Sequence, residues 1–152
     1  MRTVRETVLI EAQPEAVWEV LVEPHYIPKL YPDILNITVV PPGRATIGQE
    51  RTAGGRAGKR IIEFRTKVTG LVPNKRFEVV GRNGGAFEEF SEVIELSPVN
   101  GGTRLEATFK FKVALEYFGP GFDPLALEEM AVRNQRVYVK NVKDLSELKR
   151  VV

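Results

Sequence analysis

From Thr103 to Val113 apolar and polar residues alternate without a fault. Leu105, Ala107, Phe109, Phe111 and Val113 fall on one face, and Arg104, Glu106, Thr108, Lys110 and Lys112 on the other. A strand with one wet face and one aromatic face needs a cover for the aromatic side. The only long amphipathic segment left to supply it is the C-terminal stretch from Asp123 to Val152. A sheet that grips one long helix encloses space between the two, so the spacing predicts a cavity there.

At 152 residues the chain is the size of one domain, long enough to bury about two-thirds of its unfolded surface. A single domain over 1–152 is expected. Hydrophobic content of 43% with 28% charged residues is that of a globular protein, and no stretch approaches the ~20 apolar residues of a membrane span. Met1 to Glu6 run straight into strand-like alternation, without the apolar core and small-residue cleavage site of a secretory signal, which points to the cytoplasm. Transient contact with a membrane surface is compatible with that placement. The absence of cysteine excludes disulfides, thiolate nucleophiles and cysteine-containing metal sites. With 22 basic and 20 acidic residues interspersed, the charge is too small and too mixed for a phosphate-binding stripe, so no nucleic-acid partner is expected.

Thr3 to Glu11 read as a first strand, with Val4, Glu6, Val8 and Ile10 on one face. Pro14 opens a helix where its missing N–H costs nothing, and Val17, Trp18, Leu21 and Val22 give that helix an apolar side. Pro24, Pro28 and Pro32 bound a second short element, Tyr26 to Tyr31. Six strands follow, over Ile34 to Val40, Ile47 to Thr52, Arg60 to Leu71, Arg76 to Gly81, Ala86 to Leu96 and Thr103 to Leu115. The breaks fall at Pro41-Pro42-Gly43, Gly54-Gly55, Pro73-Asn74, Asn83-Gly84-Gly85 and Pro98 to Gly102. These connections are too short for crossover helices, so an antiparallel meander of about seven strands is predicted. Beyond Gly119-Pro120-Gly121, Asp123 is placed to cap a helix starting at Pro124. Its inward stripe reads Leu127, Met130, Ala131, Asn134, Tyr138, Val142, Leu145 and Leu148.

Strand, two short helices, six-stranded antiparallel run and long C-terminal helix is the order of the helix-grip fold. Local phrases agree: Pro14-Glu15-Ala16-Val17-Trp18, Tyr31-Pro32, Gly48 in the second hairpin, Pro73 to Arg76, and Gly101-Gly102-Thr103-Arg104. Over nearly the whole chain they resemble the START-like (SRPBCC) superfamily of polyketide cyclases/dehydrases and lipid-transport proteins. The resemblance implies an α+β helix-grip domain whose seven-stranded curved sheet wraps the helix, with a working cavity between sheet and helix. It also leaves carriers, cyclases and chaperone activators open, since fold does not settle function.

Alternation sends Ile62, Phe64, Thr66 and Val68, then Phe90, Ile94 and Leu96, then Phe109, Phe111 and Val113, toward that space. Phe64, Thr66, Phe90, Phe109, Phe111, Met130, Asn134 and Tyr138 are the expected ligand-binding residues. The polar members are the informative ones, because a buried unpaired amide or carboxylate costs roughly 2 kcal/mol or more. Asn134 is expected on the inward stripe with Asn141 near its edge. Glu88 and Glu92 share a strand face with Phe90 and are the candidate acid–base residues, unless a bulge turns them to solvent; Glu6 is a lesser candidate.

A lone histidine, His25, makes neither a zinc site nor a catalytic triad, so no metal is expected. The serines lack a Gly-x-Ser-x-Gly elbow. Gly54-Gly55-Arg56-Ala57-Gly58-Lys59-Arg60 lacks the spacing and the Ser or Thr of a phosphate loop and reads as a basic hairpin tip. No cofactor is implied. The leading expectation is therefore binding, or transport, of a small apolar or amphipathic ligand such as a lipid, an isoprenoid quinone or a polycyclic aromatic. A polyketide cyclase/dehydratase-like enzyme is the alternative. A chaperone-activator-like interaction module, with a collapsed cavity and an exposed apolar patch, is the third.

Overall fold

Seven strands form one antiparallel sheet in the order β1-β7-β6-β5-β4-β3-β2. The computed structural model describes residues 1–57, 60–84, 87–113 and 123–151. Along the chain these are β1 (Arg2–Ile10), α1 (Pro14–Val22), a 3-10 turn (Pro24–Tyr26), α2 (Ile27–Leu30), β2 (Ile34–Val40), β3 (Glu50–Ala57), β4 (Arg60–Val72), β5 (Arg76–Gly84), β6 (Phe87–Val99), β7 (Gly102–Val113) and α3 (Pro124–Val151). Strands β2 to β7 are a meander, as short turns require. β1 stands apart from it: α1 and α2 separate β1 from β2, and β1 pairs instead with β7, Val4 opposite Phe109 and Val8 opposite Leu105.

The long helix is the grip. Asp123 Oδ1 accepts the Leu125 N–H at 2.9 Å, the cap its sequence position predicts. α3 packs chiefly on β1 and α1, with smaller contacts to α2 and β7. Polar ties run along β1 in step with the helix: Arg2 with Glu128, Arg136 Nε donating to Glu6 Oε1 at 3.1 Å, and Lys143 Nζ donating to the Leu9 carbonyl at 2.9 Å. Glu6 is thus a rim residue held by Arg136, not a pocket acid.

Two segments differ from their sequence reading. The third strand starts at Glu50 and not at Ile47, because Gly48 adopts φ 86° in a turn and Ile47 is exposed. It then continues through Gly54-Gly55, read above as a break. A Cβ on Gly55 would lie 3.1 Å from Phe64 Cε2, so the glycine there makes room for a neighbouring ring. The tip residues Gly58 and Lys59, the start at Ala86, the extension to Ala114 and Leu115, and Gly119-Pro120-Gly121 lie outside the described residues.

The apolar interior divides into two clusters. One gathers Ile10, Val17, Trp18, Leu21, Val68, Phe77, Ile94, Leu105, Tyr138 and Val142 around α1. The other gathers Val4, Phe87, Phe111, Leu127 and Ala131, with Phe64, Phe90, Phe109 and Met130 partly buried against it. Gly81 sits under the second: its Cβ would fall 2.2 Å from Phe90 Cζ, so only glycine lets that ring lie flat on β5. Gly81→Ala is expected to displace Phe90 and cost about 1–3 kcal/mol in urea denaturation. Unchanged stability would contradict this packing.

Candidate functional site

Between the two clusters the sheet turns polar. Glu92 on β6, between Phe90 and Ile94 on the inward face, is 6% exposed; Arg51 on β3 is 8% exposed. Loop chemistry positions Arg51. The Gln49 amide donates to the carbonyls of Pro41 at 3.0 Å and Gly43 at 2.9 Å, and its Oε1 accepts Arg51 Nε at 3.1 Å. The guanidinium lies 5.4 Å from the centroid of the Phe77 ring. Glu92 is held from the other side, where Gln135 Nε2 on α3 donates to Glu92 Oε2 at 3.2 Å. Tyr31, just after α2, stacks on Tyr138 of α3 with ring centroids 4.8 Å apart.

Two buried side-chain atoms in this group find no partner among the described residues: Arg51 Nη2 and Glu92 Oε1. Buried polar groups are nearly always satisfied, and an orphan costs about 1–3 kcal/mol. Arg51 and Glu92 each act on the Tyr31 and Tyr138 hydroxyls, which stand in the same interior. Burial pushes the Glu92 carboxyl from its ordinary 4.5 up to about 8, with the Gln135 amide pulling weakly the other way. Burial likewise raises Tyr31 and Tyr138, and it lowers Arg51 from its usual range, an effect the tyrosines oppose.

Beside this polar group stands an aromatic wall. Phe87 is 5.0 Å from Phe111 and 5.4 Å from Phe109 by ring centroids, and Phe90 is 5.7 Å from Phe109 and 6.5 Å from Phe64. Phe64, Thr66, Phe90, Phe109 and Met130 are half-buried and Phe111 is fully buried. The wall is continuous with the polar group through Phe90, whose register partners are Gly81 and Phe111, while Glu92 stands opposite Val79 and Phe109.

Three expectations need correction. Asn134 is exposed, so it is not on the inward stripe. That stripe runs Leu127, Ala131, Gln135, Tyr138, Val139, Val142 and Ser146, and Leu148 also lies outside it. Gln135 takes the place expected of Asn134, on the four-residue step from Leu127 and Ala131. Glu88 is solvent-facing and 3.4 Å from Lys112. The pairing of β6 with β7 slips between Phe87 and Glu89, and that bulge turns Glu88 away from the face of Phe90 and Glu92. Arg51 and Tyr31, now central, were missed. Arg51 lies on the strand whose bounds differ from the sequence reading, and Tyr31 follows a proline-rich segment with no periodicity. Asn141 ties α3 to α2, donating to the Leu30 carbonyl at 3.1 Å, and His25 is exposed.

A separate surface groove of about 380 Å³ lies between α1 and the β4–β5 turn, lined by Glu15, Trp18, Glu19, Arg44, Leu71 and Asn74 among others. Arg44 there is paired with Glu19 and Glu23. No orphaned polar atom faces it among the described residues, and the sheet–helix interior is the better candidate.

A curved antiparallel sheet closed on one long helix, with a polar group buried at their junction, is a helix-grip protein. The chain belongs to the family described as polyketide cyclase / dehydrase and lipid transport, whose model matches residues 1–148. No curated protein matches it by sequence. Among solved structures it is similar to the di-domain ARO/CYC StfQ from the steffimycin biosynthetic pathway, with TM-score 0.81, 14% identity, and 99% of this chain aligned to 52% of that one. It is also similar to Ara h 8.0201, with TM-score 0.74, 16% identity and coverage of 95% and 97% of the two chains. Major latex-like protein 151 from Panax ginseng gives TM-score 0.70, 9% identity and coverage of 94% and 95%. At these identities the likeness is one of fold.

The Glu92 shift has a consequence for stability. The unfolded chain ionises this carboxyl near 4.5 and the folded chain near 8, so the folded state holds the extra proton between them. Stability therefore falls as pH rises from about 5 to about 8, by about 4 kcal/mol over the whole span. Denaturation midpoints measured from pH 5 to 9 are expected to decline in the wild type and to decline far less in Glu92→Gln. Parallel curves would mean that Glu92 ionises freely in the folded protein.

Proposed function

We propose that this protein binds a small amphipathic ligand, its polar end against Arg51 and Glu92 and its apolar body along the Phe64, Phe90 and Phe109 wall. The observation that carries this reading is the pair of unpartnered buried atoms, Arg51 Nη2 beside Phe77 and Glu92 Oε1 opposite Phe109. A buried cation and a buried carboxyl are poor core material. Well-packed hydrophobic residues of similar size would be as stable or more so, and the retained polar groups therefore await a partner. Lipids, isoprenoid quinones and polycyclic aromatics with oxygen at one end have the required shape. Thr66 and Met130 border the apolar part in this reading, and Tyr31 and Tyr138 border the polar part.

A second reading is favoured by the raised Glu92. A carboxyl that stays protonated near neutral pH inside an apolar site is poised to exchange a proton with a carbonyl compound, as a cyclase or dehydratase acting on a poly-β-ketone-like substrate requires. Loss of turnover in Glu92→Gln with ligand affinity retained would select it over binding alone.

Native mass spectrometry of freshly purified protein, followed by solvent extraction, is expected to show bound organic material. Arg51→Met is expected to lose at least tenfold in affinity for that material while remaining folded, from the loss of a charged hydrogen bond of about 1.5–3 kcal/mol. Protein that carries nothing and ignores a panel of lipids, quinones and polyphenols would defeat the proposal.

A further inference from the structure

We propose that the two terminal nitrogens of Arg51 form a carboxylate-binding fork, so that the ligand of this site is an organic acid with an apolar body. The inference rests on the binding reading above and narrows its ligand to one class.

Arg51 is an enclosed cation without a counter-ion. The residue is 8% exposed and makes no ion pair among the described residues. The groups that act on it are the Tyr138 and Tyr31 hydroxyls, phenols that burial keeps neutral and that bring no negative charge. A guanidinium stays protonated inside a protein, so Arg51 cannot shed its charge as a buried carboxyl or lysine does. A lone buried charge is costly, and the missing partner is an anion from outside the chain.

The free donors match one carboxylate. Nε is already engaged, donating to Gln49 Oε1 at 3.1 Å. Nη1 and Nη2 make no hydrogen bond among the described residues, and Nη2 is buried. The terminal amines of a guanidinium lie in one plane with parallel N–H groups, at the spacing of the two oxygens of a carboxylate. One carboxylate also balances one guanidinium. A phosphate monoester brings nearly two negative charges and a third oxygen to a place with a single cation, and an ammonium group is repelled.

The fork is fixed from behind. Gln49 is wholly buried, anchored on the Pro41 and Gly43 carbonyls, and the guanidinium packs against the Phe77 ring. On the inward face Arg51 stands between its register partners, Val39 of β2 and Thr66 of β4, both half-buried. α3 packs chiefly on β1 and α1, so the face of β2 to β4 lies to its side. That is the side from which an acid reaches the fork, its apolar body resting on Phe64, two residues from Thr66 on the same face of β4.

Calorimetric titration with 2-naphthoate and with 2-naphthamide, a neutral molecule of the same shape, tests this at neutral pH. In the wild type the carboxylate is expected to bind at least about tenfold tighter, the size of a charge-assisted pair. Arg51→Met should abolish that preference while leaving naphthamide affinity nearly as it was. Arg51→Lys keeps the charge, removes the fork and should still weaken naphthoate about tenfold; it decides the matter should the methionine variant not fold. In protein with ¹⁵N-labelled arginine, the Nε–H signal that is missing in Arg51→Lys should shift with naphthoate and stay in place with naphthamide. Naphthamide binding as tightly as naphthoate, a preference that survives in Arg51→Met, or full naphthoate affinity in Arg51→Lys overturns the inference while leaving a ligand site in place. If neither probe binds, the inference fails, whereas the binding reading falls only if the freshly purified protein also carries no extractable ligand.

Discussion

One helix has to cover a sheet wider than itself. An α-helix with its side chains is about 10 Å across. Seven strands spaced about 4.8 Å apart span about 29 Å. α3 resolves the mismatch by lying toward one side, over β1 and β7 with α1 and α2 beside it, where Glu128, Arg136 and Lys143 lock it to the first strand. Toward the sheet's middle its Gln135 side chain meets Glu92 on β6. The two apolar clusters on either side of that contact follow from the same geometry, as does the half-buried state of Phe64, Phe90 and Phe109.

The polar junction works against folding. A buried carboxyl and a guanidinium, both nearly sealed from water and each with one unsatisfied atom, cost more than the Gln135 and Gln49 hydrogen bonds and the Phe77 ring return. Proteins tolerate such features where activity needs them, with the rest of the core supplying the difference. Here that supply is visible: Trp18 meets Phe77 edge-on at 6.2 Å, and Phe111, Leu105 and Ile94 are wholly enclosed. Gln49 adds rigidity, since its hydrogen bonds to the β2–β3 loop and to Arg51 fix the position of the guanidinium.

Much of the fold was legible because its signals are periodic. Strict alternation in Thr103 to Val113 and the capped, amphipathic run after Asp123 each give one dominant reading, and short turns leave an antiparallel meander as the natural solution. The site was less legible because it depends on departures from period. A one-residue slip near Glu88 separates two carboxylates that simple alternation places together. Gly54 and Gly55 look like a turn but continue the strand, Gly54 against Asn36 and Gly55 beneath Phe64. On α3, Asn134 and Gln135 are both polar, and choosing between them requires following the four-residue step through Leu127 and Ala131, not the residue's polarity. Tyr31 is placed by tertiary contact with Tyr138, which no local pattern encodes.

The central claim is that the junction of Arg51 and Glu92 is where a ligand's polar end is held. A crystal structure of the protein grown with 2-naphthoate tests it most directly. The account predicts the carboxylate within hydrogen-bonding distance of Arg51 Nη2 or Glu92 Oε1, with the naphthyl rings against Phe90 and Phe64. Ordered waters satisfying both atoms, with the probe elsewhere or absent, would contradict it.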